Sequence, residues 1–295
     1  MKKTPIFRGA GTAIITPFRD GEIDYKAFAE IVEDQISAGI DAIIVCGTTG
    51  EGSTLSDAEH RSLIEFCLEK VNHRTCVIAG TGSNDTRYAV DLTKFACSAG
   101  VDGVLVVTPY YNKTSQLGLI RHYNMVADAS DKPLLVYSVP SRTGLTIKPE
   151  TYLELSKHPN ICGVKEANPD LCQITKTAAL CGDDLLIYAG NDDMILPLLS
   201  LGGQGVISVL SNVLPKETCD ICHKFFGGDI EESRRLQFKY LNLISALFCE
   251  VNPIPVKHAM NLLGKCTADV RMPLCEMEPQ NLERLKNAMN AVGIL

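Results

Sequence analysis

Lys165 and Glu166 interrupt a run of apolar and small residues that extends from Ile161 to Ala167. On a strand, Ile161, Gly163, Lys165 and Ala167 alternate onto one face while Cys162, Val164 and Glu166 take the other, so Glu166 is badly placed to neutralise its neighbour. A lysine on the inner face of an apolar tube loses hydration. Its equilibrium then moves toward the neutral amine, the nucleophile that forms imines with carbonyl substrates. Gly163 beside it would leave room for a substrate. The same strand is also compatible with an outward lysine that snorkels between covering helices.

Tyr137 shares the alternation of Leu135 and Val139. If this face is also inward, its hydroxyl approaches Lys165 and can move protons during imine chemistry; otherwise it is a core tyrosine with a satisfied hydroxyl. Thr48 and Thr49 stand in the turn Gly47-Thr48-Thr49-Gly50, where backbone N–H groups and hydroxyls can converge on a carboxylate. Taken alone, that turn is only a capped loop.

These residues need a scaffold that brings distant parts of the chain together. Eight β-rich runs, each followed by helical periodicity, recur at Gly11–Phe18, Asp41–Gly47, Cys76–Gly82, Gly103–Pro109, Pro133–Pro140, Ile161–Ala167, Leu185–Gly190 and Gly205–Leu210. Asp24 is placed to cap the first helix, Ser56 and Glu59 form a capping box for the second, and Gly39 and Gly100 end helices. Ser37–Val45 and Ser98–Val106 even read alike, each a helix end passing through Gly into an apolar strand. Eight such units predict an α/β fold, a closed (β/α)8 TIM barrel over residues 1–227, followed by a C-terminal helical extension over 228–295. In such a barrel the chemistry lies at the C-terminal strand ends, where Thr48, Tyr111, Tyr137, Lys165, Gly190 and Ile207 all fall.

With 45% hydrophobic and 21% charged residues among 295, the chain can bury a large core. The net charge of −7 gives no basic field for nucleic acid, and no apolar run reaches membrane-spanning length, so a soluble, cytoplasmic, small-molecule enzyme is expected. Twelve cysteines scattered through apolar segments read as reduced hydrophobes. The Cys219/Cys222 pair lacks the second ligand pair of a zinc site. Six dispersed histidines argue against a metal-dependent aldolase, and the absence of Trp and of paired strand-end acids argues against a glycosidase.

The motifs GTTGE (Gly47–Glu51), TPYYN (Thr108–Asn112), YSVPSRTG (Tyr137–Gly144), GVKEA (Gly163–Ala167), GVISV (Gly205–Val209) and NPIPVK (Asn252–Lys257) together resemble the dihydrodipicolinate synthase family over essentially the whole chain. The resemblance implies a Schiff base between Lys165 and pyruvate, with Tyr137, Thr48 and Tyr111 as a hydroxyl relay and Thr49 and Ile207 touching the bound pyruvate. Arg142 and Gly190 complete the candidate substrate-binding set. The enamine would attack L-aspartate 4-semialdehyde in a step toward diaminopimelate and lysine, with no cofactor or metal. Tyr111 would reach into a neighbouring subunit, so a homo-oligomer, a tetramer built from two dimers, is implied.

N-acetylneuraminate lyase, in the same superfamily, shares the lysine and tyrosine, but Arg142 suits the carboxylate of a short semialdehyde better than a long sugar acid. A catalytically silent keto-acid-binding barrel is the alternative from another class. Ser138 and Asn191 depart from the family's usual YNVP and Gly-Asp patterns, which implies altered supporting hydrogen bonds. The resemblance also implies an inhibitory lysine site. There His60, Asn84 and Tyr110 are kept, but Gly52, Ser53, Asp57 and Tyr88 replace Ser, Ala, His and an acidic residue, so insensitivity to lysine is expected.

Overall fold

The computed structural model describes residues 2–295. The chain opens with β1 (Gly9–Ala13), a two-stranded antiparallel hairpin of β2 (Phe18–Arg19) and β3 (Glu22–Ile23), and α1 (Tyr25–Ser37). Strands and helices then alternate through β4 (Ala42–Val45), α2 (Asp57–Val71), β5 (Cys76–Gly80), α3 (Thr86–Ala99), β6 (Gly103–Val107), α4 (Gln116–Asp128) and β7 (Leu134–Ser138). After the short α5 (Pro140–Thr143) and α6 (Pro149–Ser156) come β8 (Ile161–Glu166), α7 (Leu171–Cys181), β9 (Leu186–Ala189), α8 (Ile195–Ser200), β10 (Gly205–Ser208) and α9 (Pro215–Phe226). The last part of the chain is helical: α10 (Ile230–Leu247), α11 (Ile254–Leu262) and α12 (Pro279–Ala291).

Eight parallel strands close in the order β1-β10-β9-β8-β7-β6-β5-β4, with β4 pairing back onto β1. The strands are apolar on both faces because both are covered. Ala13, Ile44, Ile78, Leu105, Leu135, Tyr188 and Ile207 fill the interior, while Val45, Val77, Val104, Val136, Val164, Ile187 and Val206 pack under the helices. The caps form as the sequence predicts. Asp24 accepts the Ala27 N–H, the Ser56/Glu59 capping box is complete, and Gly100 ends α3 in the left-handed conformation. Among the described residues no helix is long and apolar enough to cross a membrane.

Three expectations are corrected. The first strand begins at Gly9 and ends at Ala13; Phe18, assigned above to its end, belongs to the hairpin. Ile15 N–H leaves the ladder for the Asn212 side chain, and the Thr16 hydroxyl bonds the Gly50 carbonyl, so strand pairing stops early. In β8 the alternation holds from Val164 to Glu166 but breaks before it, because a bulge opposite Leu134 and Leu135 inserts one residue. Cys162 therefore points into the barrel and Ile161 into the helix layer, the reverse of strict alternation. Gly163 is also not an opening for substrate. A Cβ there would meet the Leu186 carbonyl oxygen at 2.4 Å, so the glycine permits the close approach of β9.

Candidate active site

Register places Lys165 beside Tyr137 on one side and Tyr188 on the other, all three buried on the inner face. Lys165 Nζ sits 4.3 Å from the centre of the Tyr137 ring and makes no hydrogen bond among the described residues. Burial pulls its pKa down to about 7. The Asp192 carboxylate opposes that shift, and the Arg142 guanidinium adds to it. The inward reading of Lys165 is therefore the one the fold adopts.

The Tyr137 hydroxyl lies near that of Thr48; burial raises its pKa, while the Arg142 guanidinium and Thr48 oppose the rise. Thr48 and Thr49 lie in the turn after β4, which closes through Glu51 N–H to the Thr48 carbonyl (3.1 Å) and Gly52 N–H to the Gly47 carbonyl (3.2 Å). The backbone N–H groups of Thr48 and Thr49 stay without a partner among the described residues, as an anion-binding turn requires. Thr48, Tyr137, Tyr110 and Arg142 line one cavity of about 390 Å³, the size of a small-molecule site.

The other candidates are spread around this centre. Ile207 is fully buried in the barrel interior. Gly190 donates its N–H to the Glu166 carbonyl (2.8 Å), and a Cβ there would meet that of Ala167 at 2.8 Å, so it joins the ends of β8 and β9 by close packing. Tyr111 stands apart: its side chain is 92% exposed and its backbone holds φ +66°, a conformation bulky residues rarely adopt. Of the two departures, Ser138 is buried at the rung of Glu166, and Asn191 Nδ2 donates to the Ala167 carbonyl (3.3 Å).

Several contributors were not singled out by the reading above. Asp192 is buried facing Lys165, its Oδ2 accepting the N–H groups of Val209 (3.0 Å) and Leu210 (2.9 Å). Asn252 accepts from Arg142 Nη2 at its carbonyl (3.0 Å) and donates Nδ2 to Thr49 Oγ1 (3.0 Å). Lys257, fully buried, pairs with Glu51 two residues after Thr49 and donates to the Asp269 carbonyl (2.6 Å). The Arg271 N–H reaches the other Glu51 oxygen (3.0 Å). The C-terminal helical part thus holds the Thr48–Thr49 turn in place.

Lys257→Met would strand the buried Glu51 carboxylate without its cation, and a loss of about 3–5 kcal/mol in unfolding free energy is expected from urea titration. A loss under roughly 1 kcal/mol would mean that Arg271 and solvent satisfy Glu51 alone. Among the described residues no three His, Cys, Asp or Glu side chains are placed to share a metal ion, and all twelve cysteines are free thiols.

Residues 6–292 match the Dihydrodipicolinate synthetase family. A 4-hydroxy-tetrahydrodipicolinate synthase of Acetivibrio thermocellus is 50% identical over 99% of this chain and 100% of its own. One of Caldicellulosiruptor saccharolyticus is 53% identical over 98% of each chain. The solved dihydrodipicolinate synthase of Thermotoga maritima superposes with a TM-score of 0.96 at 43% identity, covering 99% of this chain and 100% of that one. With barrel, inward lysine and near-complete coverage in agreement, the chain belongs to the dihydrodipicolinate synthetase family.

Proposed function

We propose that the protein is a lyase that condenses pyruvate with L-aspartate 4-semialdehyde, the reaction of a 4-hydroxy-tetrahydrodipicolinate synthase, in the route to diaminopimelate and lysine. The observation that carries this reading is the buried Lys165 amine, shifted toward neutrality and poised over the ring of a tyrosine that lines one cavity with Thr48. The pyruvate carboxylate would bind at the open N–H groups of Thr48 and Thr49, with its methyl group against Ile207.

Lys165 Nζ adds to the keto carbon, and water leaves after proton transfer to the carbinolamine hydroxyl, forming the imine. Loss of a methyl proton gives the enamine, whose carbon attacks the aldehyde. The amino group of the semialdehyde then displaces Lys165 as the ring closes, and the free amine returns. Tyr137 and Thr48 move the protons, and the Tyr111 hydroxyl of a neighbouring subunit completes the relay to solvent. The exposed, strained Tyr111 supports this homo-oligomeric reading, since an unsupported aromatic side chain has no reason to hold a left-handed backbone. No metal or organic cofactor takes part.

Assay of the purified protein with pyruvate and the semialdehyde, beside N-acetylneuraminate, is expected to show turnover only with the first pair. Cleavage of the sugar acid would support the lyase alternative, and silence with both a binding role.

Arg142, anchored by Asn252, lies at the cavity rim where the second substrate's carboxylate would arrive. Arg142→Ala is expected to lower kcat/KM for the semialdehyde by roughly 10- to 150-fold, about 1.5–3 kcal/mol, and to leave imine formation with pyruvate near native. Equal damage to both steps would move Arg142 out of this role. Lysine is expected to inhibit only above about 1 mM, a binding free energy no stronger than roughly −4 kcal/mol. Tyr88 donates its hydroxyl to Asp57 (3.0 Å), and Asp57 is exposed and paired with Arg61 (2.9 Å), so that carboxylate is already committed. Half-maximal inhibition at lower lysine would reveal another carboxylate in the site.

A further inference from the structure

The rung that sets Tyr137 opposite Lys165 is followed by one that sets Ser138 opposite Glu166, facing the helix layer behind the reactive pair. Glu166 is 4% exposed. The Tyr152 hydroxyl, on α6, donates to its Oε2 at 2.7 Å, and the Asn168 N–H donates to its Oε1 at 2.9 Å. Its carbonyl receives the Gly190 N–H, at the start of the loop that carries Asp192. The titratable groups that face it are Tyr152 and Tyr123 from the helices and Tyr137 through the wall, all phenols. Burial raises the carboxyl to about 7 against the pull of these hydrogen bonds.

A carboxyl without a cation is a poor filler for a packed layer, since an apolar side chain of the same volume carries no desolvation penalty. What it offers is two polar atoms that hydrogen-bond in two directions at once, one accepting the Asn168 N–H and the other sharing a hydrogen bond with the Tyr152 hydroxyl, which can donate or accept. Here those directions are α6 and the loop that leaves β8, so the side chain braces the strand on the side opposite Lys165.

We propose that Glu166 is a positioning residue for imine formation, tying β8 to α6 and to its own following loop so that the Lys165 amine stays over Tyr137 and within the field of Asp192. This rests on the reading that Lys165 forms the imine.

The test is the rate of borohydride-trapped imine formation at saturating pyruvate and pH 6, where the native carboxyl is largely protonated and Glu166→Gln is its close mimic. Glu166→Ala is expected to slow trapping about tenfold, with half-saturating pyruvate changed by less than about twofold, and Glu166→Gln to restore the rate to within about twofold of native. If the alanine variant does not fold, Tyr152→Phe removes one brace alone and is expected to slow trapping about threefold. A native rate in a folded Glu166→Ala or in Tyr152→Phe, or a Gln variant as slow as Ala, overturns the proposal. No trapped adduct on the native protein would instead overturn the imine reading beneath it.

Discussion

Lys165→Met, which keeps the length and apolar stem of the side chain but removes the amine, is expected to lower the condensation rate by roughly 10⁴-fold or more. In the native protein, borohydride with pyruvate should leave one reduced adduct on the peptide carrying Lys165, and in the variant none. Two other lysines are buried, so the prediction discriminates. Lys3 donates to the carbonyls of His158 (2.7 Å) and Pro159 (3.1 Å), and Lys257 is consumed by Glu51 and the Asp269 carbonyl. Their nitrogens are held as hydrogen-bond donors, whereas that of Lys165 makes no hydrogen bond among the described residues. With its pKa near 7, the neutral fraction of Lys165 falls about tenfold per pH unit below that value and saturates above it. Imine formation at low pyruvate should follow the same curve. An adduct on another lysine, or a flat profile between pH 5 and 8, would sink the assignment.

Local signals in the chain were legible where one physical rule dominated. Strands buried on both faces show as apolar runs, helix ends show as Asp24, Ser56 with Glu59, and Gly100, and Lys165 shows as a charge with no partner of its own. What was illegible depended on contacts between distant residues. Nothing near Asn252 tells that it lies between Arg142 and Thr49, 110 and 203 residues away, and nothing near Lys257 announces Glu51. The β8 bulge escaped because Ile161, Cys162 and Val164 are all apolar, so either facing satisfies burial; only pairing with Leu134 and Leu135 decides it. Asp192 was not singled out because its orientation depends on the two N–H groups of Val209 and Leu210, which β10 must first deliver. The C-terminal segment from 228 onward shows only helical period in sequence, yet its side chains hold the Thr48–Thr49 turn.

Tyr137→Phe isolates the hydroxyl from everything else the ring does. Phenylalanine preserves the inward packing among Leu135, Val139 and Ile207 and keeps an aromatic face beneath the Lys165 amine, so the fold and the amine's surroundings change little. What is lost is the hydroxyl that shares the cavity with Thr48, the group proposed to carry protons between imine intermediates and the outside. Removal of a positioned proton-transfer group costs roughly 10²–10⁴-fold, and since that group acts in the transition state, the loss is expected in kcat with KM for pyruvate nearly unchanged. Thr48→Val breaks the same relay one step further out and should be milder. If the two hydroxyls act as one unit, the Tyr137→Phe/Thr48→Val double variant will be scarcely slower than Tyr137→Phe alone, a non-additivity that independent contributions cannot produce. A rate within about threefold of native in Tyr137→Phe would leave the proton path to water or to Tyr111 and remove Tyr137 from the chemistry.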